Sequence, residues 1–308
     1  MAKIFIDGSA GTTGLRIHER LANRKDITLI SLPENLRKDL SARADAINSA
    51  DLVFLCLPDD AAKESVSLLK NPSVKIIDTS TAHRVNPDWT YGFAELKGQR
   101  EKIKNAHLVA NPGCHASGFI SLVKPLVDAG AIKNSANLTC FSITGYSGGG
   151  KKMIAEYEGE MPKYYDAPRQ YGLTQNHKHL PEMVKVCNLE KAPIFCPIVA
   201  PFKCGMQVSV PLFLSDLNCS LNDVKEIYKK AYTGKIVRYA DSSENGFISS
   251  SILSGYDDME ISVYGNDERI TVVSNFDNLG KGASGSAIQN MNILLGLPEE
   301  TGLNIKGE

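Results

Sequence analysis

Lys3-Ile4-Phe5-Ile6-Asp7-Gly8-Ser9-Ala10-Gly11-Thr12-Thr13-Gly14 passes from an apolar run, through three evenly spaced glycines, into a stretch with helical periodicity. Glycine permits the sharp turn and the close approach of a pyrophosphate, whose charge the amides at a helix N-terminus then meet. Gly and Ser also gather in ordinary loops. The strand before this turn and the helix after it are what make it read as a phosphate cradle, with Gly8, Ala10, Gly11, Thr12, Thr13 and Gly14 as its contacts.

Outward from that turn, short apolar runs alternate with helical patterns. Strands are expected over 3–7, 27–32, 52–57, 74–78 and 107–110, and helices over 12–22, 36–48, 60–69 and 117–129. Strands separated by helices need crossover connections, so the expected fold class is α/β, with a Rossmann-type doubly wound parallel sheet. From about residue 136 longer alternating runs, at 206–214, 259–264 and 269–275, predict an α+β domain whose sheet is mostly antiparallel or mixed, with one covered face. The expected domains are a dinucleotide-binding domain over 1–114 and a second domain over 115–279. The last segment, 281–295, is poor in charge and rich in small residues that let a helix approach another backbone closely, so 280–308 is expected to complete the first domain.

After the second strand the chain runs Pro33-Glu34-Asn35-Leu36-Arg37-Lys38, with no acidic side chain on the strand's last residue to take a ribose diol. Arg37 and Lys38 suit a 2′-phosphate, which favours NADP(H) over NAD. Glu34 lies nearby, and a basic pair is otherwise a solvated helix face.

Composition narrows the partners. Across 308 residues, 34 Lys and Arg against 35 Asp and Glu leave a formal charge of −1, which gives no basic footprint for nucleic acid and no polybasic membrane anchor. No apolar run is long enough to span a bilayer, and the N-terminus enters a strand without a charged leader, so a cytoplasmic protein acting on a small molecule is expected. Seven cysteines, an odd number without C-x-x-C spacing, sit mostly in apolar stretches, as reduced thiols do.

One of those thiols stands apart. In Asn111-Pro112-Gly113-Cys114-His115 the cysteine lies between a β-like run and a helix, where unpaired amides and the helix dipole favour thiolate over thiol. A small buried hydrophobe is the competing reading. The other six, Cys56, Cys140, Cys187, Cys196, Cys204 and Cys219, read as packing residues.

Taken in order, the G-x-x-G-x-x-G turn, Asp78-Thr-Ser-Thr-Ala-His-Arg84, N-P-G-C at Cys114, His177-Lys-His179-Leu-Pro181-Glu182 and Asn275-Phe-Asp277-Asn278-Leu-Gly-Lys281-Gly-Ala283 resemble the N-acetyl-γ-glutamyl-phosphate reductase family, in its shorter form, over nearly the whole chain. The resemblance implies an NADPH-dependent step of arginine biosynthesis and kinship with aspartate-semialdehyde dehydrogenases, with a nucleotide domain followed by an α+β catalytic and oligomerisation domain. It implies Cys114 as nucleophile and His177 or His179 as acid/base, His177 placed first. Arg84 becomes the residue that grips a carboxylate or phosphate, with Asn111, Ser147 and Gly148 beside the substrate. Pro58, Ser80, Asn278, Lys281 and Gly282 join Arg37 as cofactor contacts. Glu182 either orients a histidine or, following Pro181, serves the first turn of a helix. His83 and His115 depart from the longer form and receive no role. No metal is expected, because no fourth ligand is spaced for one.

An acyl phosphate is an activated carbonyl that a thiolate attacks, leaving a thioester electrophilic enough to accept hydride. The partners implied are an acyl-phosphate or semialdehyde substrate and a second copy of the chain, as a dimer or tetramer. The alternatives are another semialdehyde dehydrogenase, for aspartate semialdehyde or a lysine-pathway substrate, and a dinucleotide sensor without chemistry.

Overall fold

The computed structural model describes residues 1–241 and 243–307. The elements are β1 (Ala2–Asp7), α1 (Thr12–Leu21), β2 (Ile27–Ile30), α2 (Leu40–Ser49), β3 (Leu52–Leu55), α3 (Asp59–Ser67), β4 (Lys75–Asp78), β5 (Thr90–Tyr91), α4 (Gln99–Lys104) and β6 (Leu108–Ala110). There follow α5 (Cys114–Asp128), β7 (Thr139–Gly145), α6 (Gly150–Glu158), β8 (Arg169–Gln170), α7 (Leu180–Cys187), β9 (Ile194–Ala200) and β10 (Met206–Phe213). The last are α8 (Leu221–Ala231), β11 (Val237–Tyr239), β12 (Met259–Gly265), β13 (Arg269–Phe276) and α9 (Gly285–Leu295). Two compact units result, one of Met1–Ala94, Gly98–Pro112 and Ala283–Leu303, the other of Glu95–Lys97, Gly113–Gly282 and the residues from Asn304 on.

In the first unit six parallel strands lie in the order β2-β1-β3-β4-β6-β5. Period-two alternation sends Ile4, Ile6 and Phe54 to one face, where they meet Ile17 and Leu21 of α1 and Ala287, Ile288 and Met291 of α9. Phe5, Val53 and Leu55 go to the other face and meet Ala46 and Ile47 of α2 and Ala62 of α3. Burial on both faces explains the nearly unbroken apolar runs. Strand order reverses between β1 and β3, and their C-terminal ends open a crevice there, the place where such sheets bind ligands. The closing helix α9 belongs to this unit: Asn290 donates to Gly92 O at 2.9 Å and to Asn111 Oδ1 at 3.1 Å. A Cβ on Gly92 would lie 2.5 Å from Asn290 Nδ2 and displace the amide that makes both bonds.

Two boundaries differ from the sequence reading for local reasons. The helix expected from residue 36 starts at Leu40, because the Asp39 carboxylate accepts the Ala42 amide at 2.8 Å and caps it. The helix expected from 117 starts at Cys114, so the thiol sits in its first turn and not before it.

The second unit holds a seven-stranded mixed sheet, β11-β12-β13-β10-β7-β9-β8, in which β7–β9 and β11–β12 are parallel and the other pairs antiparallel. Cys140, Ser142 and Thr144 on β7 and Met206, Val208 and Val210 on β10 are buried. Helix α5 lies close against them; a Cβ on Gly118 would come within 2.3 Å of Val208 Cγ2. Register places Phe141, Ile194 and Phe213 together on the opposite face, where they are 44%, 60% and 59% exposed.

Candidate active site

The glycine turn is built from backbone. Gly8 has φ +88°, and a Cβ there would lie 2.4 Å from Cys56 O at the end of β3. A Cβ on Gly14 would lie 2.4 Å from Gly8 O, whereas Gly11, the N-cap of α1, has its nearest such neighbour at 3.5 Å. Side chains are excluded where the turn folds on itself, and the first turn of α1 carries no acidic residue. That is a cradle for an anion held by amides, so the residues present fit a dinucleotide pyrophosphate. A cleft of about 850 Å³ continues from Gly8, Ser9 and Ala10 past the end of β2 to His18, Arg37 and Lys38. Its floor is braced by Arg43, whose guanidinium reaches Asp7 at 3.1 Å and Glu64 at 2.7 Å while Ser65 donates to Asp7 at 2.8 Å.

Other residues expected in this unit are held by their neighbours. Pro58 is the N-cap of α3, and Ser80 donates to Asp78 at 2.8 Å. Arg84 donates from Nε to Asn111 O and from Nη2 to Thr79 O, both at 3.0 Å, which fixes one edge of its guanidinium. Asn111 is buried and donates to Ala283 O. Asp78 also meets His83 Nδ1 at 2.6 Å, and the His83 ring stacks on Trp89 at 4.1 Å, so His83 packs the loop that carries Arg84.

In the second unit Cys114 opens α5, half-buried, and Gly282 packs on it so closely that a Cβ there would stand 3.0 Å from the cysteine's own. Glu182, fully buried in the first turn of α7, accepts the Gly113 amide at 2.8 Å. It thereby anchors the residue before the thiol, a partner that the sequence reading, centred on a histidine, did not anticipate. The His177 ring is half-buried; burial, and after it the Lys178 charge, lowers its pKa, so the imidazole is neutral at pH 7. His177 Nδ1 accepts the His179 amide at 3.2 Å, which in the neutral ring puts the proton on Nε2. His179 is buried, with its ring 4.9 Å from that of His177.

Ser147 is buried and accepts from Asn278 at 2.9 Å; Asn278 in turn accepts the Gly205 amide at 3.0 Å. Gly148 is exposed beside them. Lys281 is fully buried with its amine on both Glu95 oxygens, at 2.8 and 2.9 Å. These contacts tie the segment before α9 to its own unit.

Sequence reasoning missed four members of this cluster. His115, buried, lies between Ser142 Oγ and Tyr171 Oη, each at 2.6 Å, and its ring is within 6 Å of those of His177, His179 and Phe195. Burial, then the His177 and Lys178 charges, holds its pKa down to about 3. Ser142, Tyr171 and Phe195 carry no motif of their own; adjacency to Cys114 was the available signal for His115 alone.

Residues 3–106 match the family model described as semialdehyde dehydrogenase, NAD binding domain, and residues 114–278 match semialdehyde dehydrogenase, dimerisation domain. N-acetyl-gamma-glutamyl-phosphate reductases of Brucella ovis and Brucella canis are each 49% identical to the chain over 306 residues, spanning 96% of it and 99% of themselves. The chain belongs to the N-acetyl-gamma-glutamyl-phosphate reductase family of semialdehyde dehydrogenases. The resemblance read from the motifs therefore holds over the full length. Among solved structures it is similar to aspartate semialdehyde dehydrogenase II of Vibrio cholerae, with TM-score 0.71, 16% identity, and 96% of this chain and 98% of that one covered. The aspartate semialdehyde dehydrogenase of Francisella tularensis gives 0.72 and 16%, with 96% and 100% covered. At that identity the likeness concerns the fold, an α/β nucleotide unit with a mixed-sheet partner. No helix among the described residues is long and apolar enough to cross a membrane.

Proposed function

We propose that this chain reduces N-acetyl-γ-glutamyl phosphate to N-acetylglutamate 5-semialdehyde with NADPH, releasing phosphate, as a cytoplasmic step of arginine biosynthesis. The observation that carries the reading is a half-buried cysteine in the first turn of α5, in a unit that also gathers His177 and His179, within a chain 49% identical to the Brucella reductases. The mechanism follows from the side chains. Cys114, as thiolate, attacks the acyl carbon and expels phosphate, leaving a thioester. The amides of the Gly8–Gly14 turn, with Arg37 and Lys38 for a 2′-phosphate, would hold NADPH, which would supply the hydride. His177 Nε2–H donates a hydrogen bond to the tetrahedral oxygen and keeps its proton, so the oxygen remains an oxyanion that can collapse, and His179 is the second choice. Collapse to the aldehyde returns the thiolate. Glu182 keeps Gly113 in place, and Arg84, oriented by two carbonyls at Nε and Nη2, is the cation proposed for a substrate anion.

The second unit is the surface through which copies associate. Its support is the dimerisation-domain match together with the exposed Phe141, Ile194 and Phe213 on one sheet face. Incubation with N-acetylglutamate semialdehyde, phosphate and NADP, followed by NADPH absorbance, tests the activity. Turnover is expected; turnover of aspartate semialdehyde instead, or of neither aldehyde, overturns the assignment.

A further inference from the structure

The proton inventory around His115 is over-determined. Its imidazole is buried and neutral, so one ring nitrogen donates and the other accepts. Its partners are two hydroxyls, Ser142 Oγ at Nδ1 and Tyr171 Oη at Nε2, both at 2.6 Å. Ser142 is fully buried on β7, and His115 is the one hydrogen-bond partner of its hydroxyl among the described residues.

Two tautomers are conceivable. With the proton on Nδ1, His115 donates to Ser142 and the serine proton is left in a dry site without an acceptor, an expensive arrangement. With the proton on Nε2, Ser142 donates to Nδ1 and His115 donates to Tyr171. Every buried group is then satisfied, and the surplus proton is the phenol's own. Among the described residues Tyr171 Oη has no hydrogen-bond partner other than His115. The ring is partly exposed and packs edge-on to His177 at 5.9 Å. Burial and then the neighbouring Cys114 raise the phenol's pKa, so it stays a donor across the working range.

We propose that Ser142 and His115 order these hydrogen bonds so that Tyr171 donates a hydrogen bond to the oxygen that becomes negative on the Cys114-bound carbon. The phenol gives a hydrogen bond beside that of His177 Nε2–H, and neither group gives up its proton. Tyr171 is the catalytic residue of the trio, and His115 and Ser142 are positioning residues. The inference rests on the Cys114 thioester and extends it.

The test is a double-mutant cycle in the reverse assay, semialdehyde plus phosphate plus NADP. Tyr171→Phe is expected to lower kcat about 100-fold, the scale of one lost oxyanion donor, with KM changed less than about threefold. His115→Leu is expected to lower kcat at least about tenfold in the native background and to have no further effect in Tyr171→Phe. His115→Gln offers one acceptor and one donor and is expected to recover at least about fivefold over His115→Leu. If His115→Leu fails to fold by circular dichroism, Ser142→Ala, which deletes one oxygen, replaces it in the cycle with the same expected pattern. Native kcat in Tyr171→Phe, or losses that multiply in the double variant, overturn the relay. Native turnover in Cys114→Ser overturns instead the thioester reading, so the two failures are told apart.

Discussion

The glycine turn after β1 and the cysteine cluster on α5 solve opposite problems. In the proposed reading the turn recognises an anion with backbone, and what makes room for it is what is missing: no Cβ fits at Gly8 or Gly14. The cysteine cluster is made of side chains from α5, β7, the segment after β8 and α7, each held by another. A backbone site is local in sequence, so a single motif announces it. A side-chain site is assembled from distant segments, and only its most reactive member announces itself.

The same contrast separates two thiols. Both are half-buried, but desolvation at the end of β3 pushes the Cys56 thiol up to about 12, which keeps it a thiol, whereas Cys114 stands in the first turn of a helix. The largest expected effect breaks or confirms that contrast. Cys114→Ser should lower turnover on the order of 10³-fold or more while NADPH binding, measured by fluorescence titration, is unchanged. In the native protein iodoacetamide should label Cys114 before Cys56 by peptide mass spectrometry, and the reverse order would erase the distinction.

A second, intermediate effect sharpens the claim that the turn works by exclusion. Gly8→Ala puts a Cβ against Cys56 O and forces alanine to φ +88°, so NADPH should bind about tenfold or more weaker, and the protein should lose about 1–3 kcal/mol. Gly11→Ala meets nothing nearer than 3.5 Å and should melt close to the native protein. Equal melting temperatures for the two variants would mean that the turn is not sterically closed.

The smallest effect concerns acid. The folded His115 has its pKa held to about 3 from the usual 6.5, so below pH 6.5 the unfolded chain takes a proton that the folded chain refuses. Stability from this group is fully present above pH 6.5 and is lost as pH falls toward 3, by about 1.4 kcal/mol per unit. Urea unfolding of the native protein and of His115→Gln between pH 7 and pH 5 should give free energies whose difference changes with that slope; parallel curves would show that the imidazole titrates freely.

Much of the fold was written in local pattern. Short apolar runs between helical patterns announced β1, β3 and β4, and the longer alternating runs after residue 136 announced a different sheet. Strands β5 and β8, two residues each, are too short to leave a period. Strand β9 went unread because Pro197 interrupts its pattern, and it is tolerated because β9 pairs with β7 along one side for its whole length while β8 covers only Val199 and Ile198 on the other.

By itself the sequence determined the phosphate cradle, the thiol and its histidine-rich partner segment, since each depends on residue types a few positions apart. Tertiary structure decided what those residues touch. It set Glu182 on the Gly113 amide, buried Lys281 against Glu95, and turned His115 from a bystander into the link between a strand serine and Tyr171. The reason is physical: chain geometry fixes neighbours within a turn, but the partner of a buried polar group is chosen by whichever distant donor or acceptor packing brings within 3 Å, and no local pattern encodes that choice.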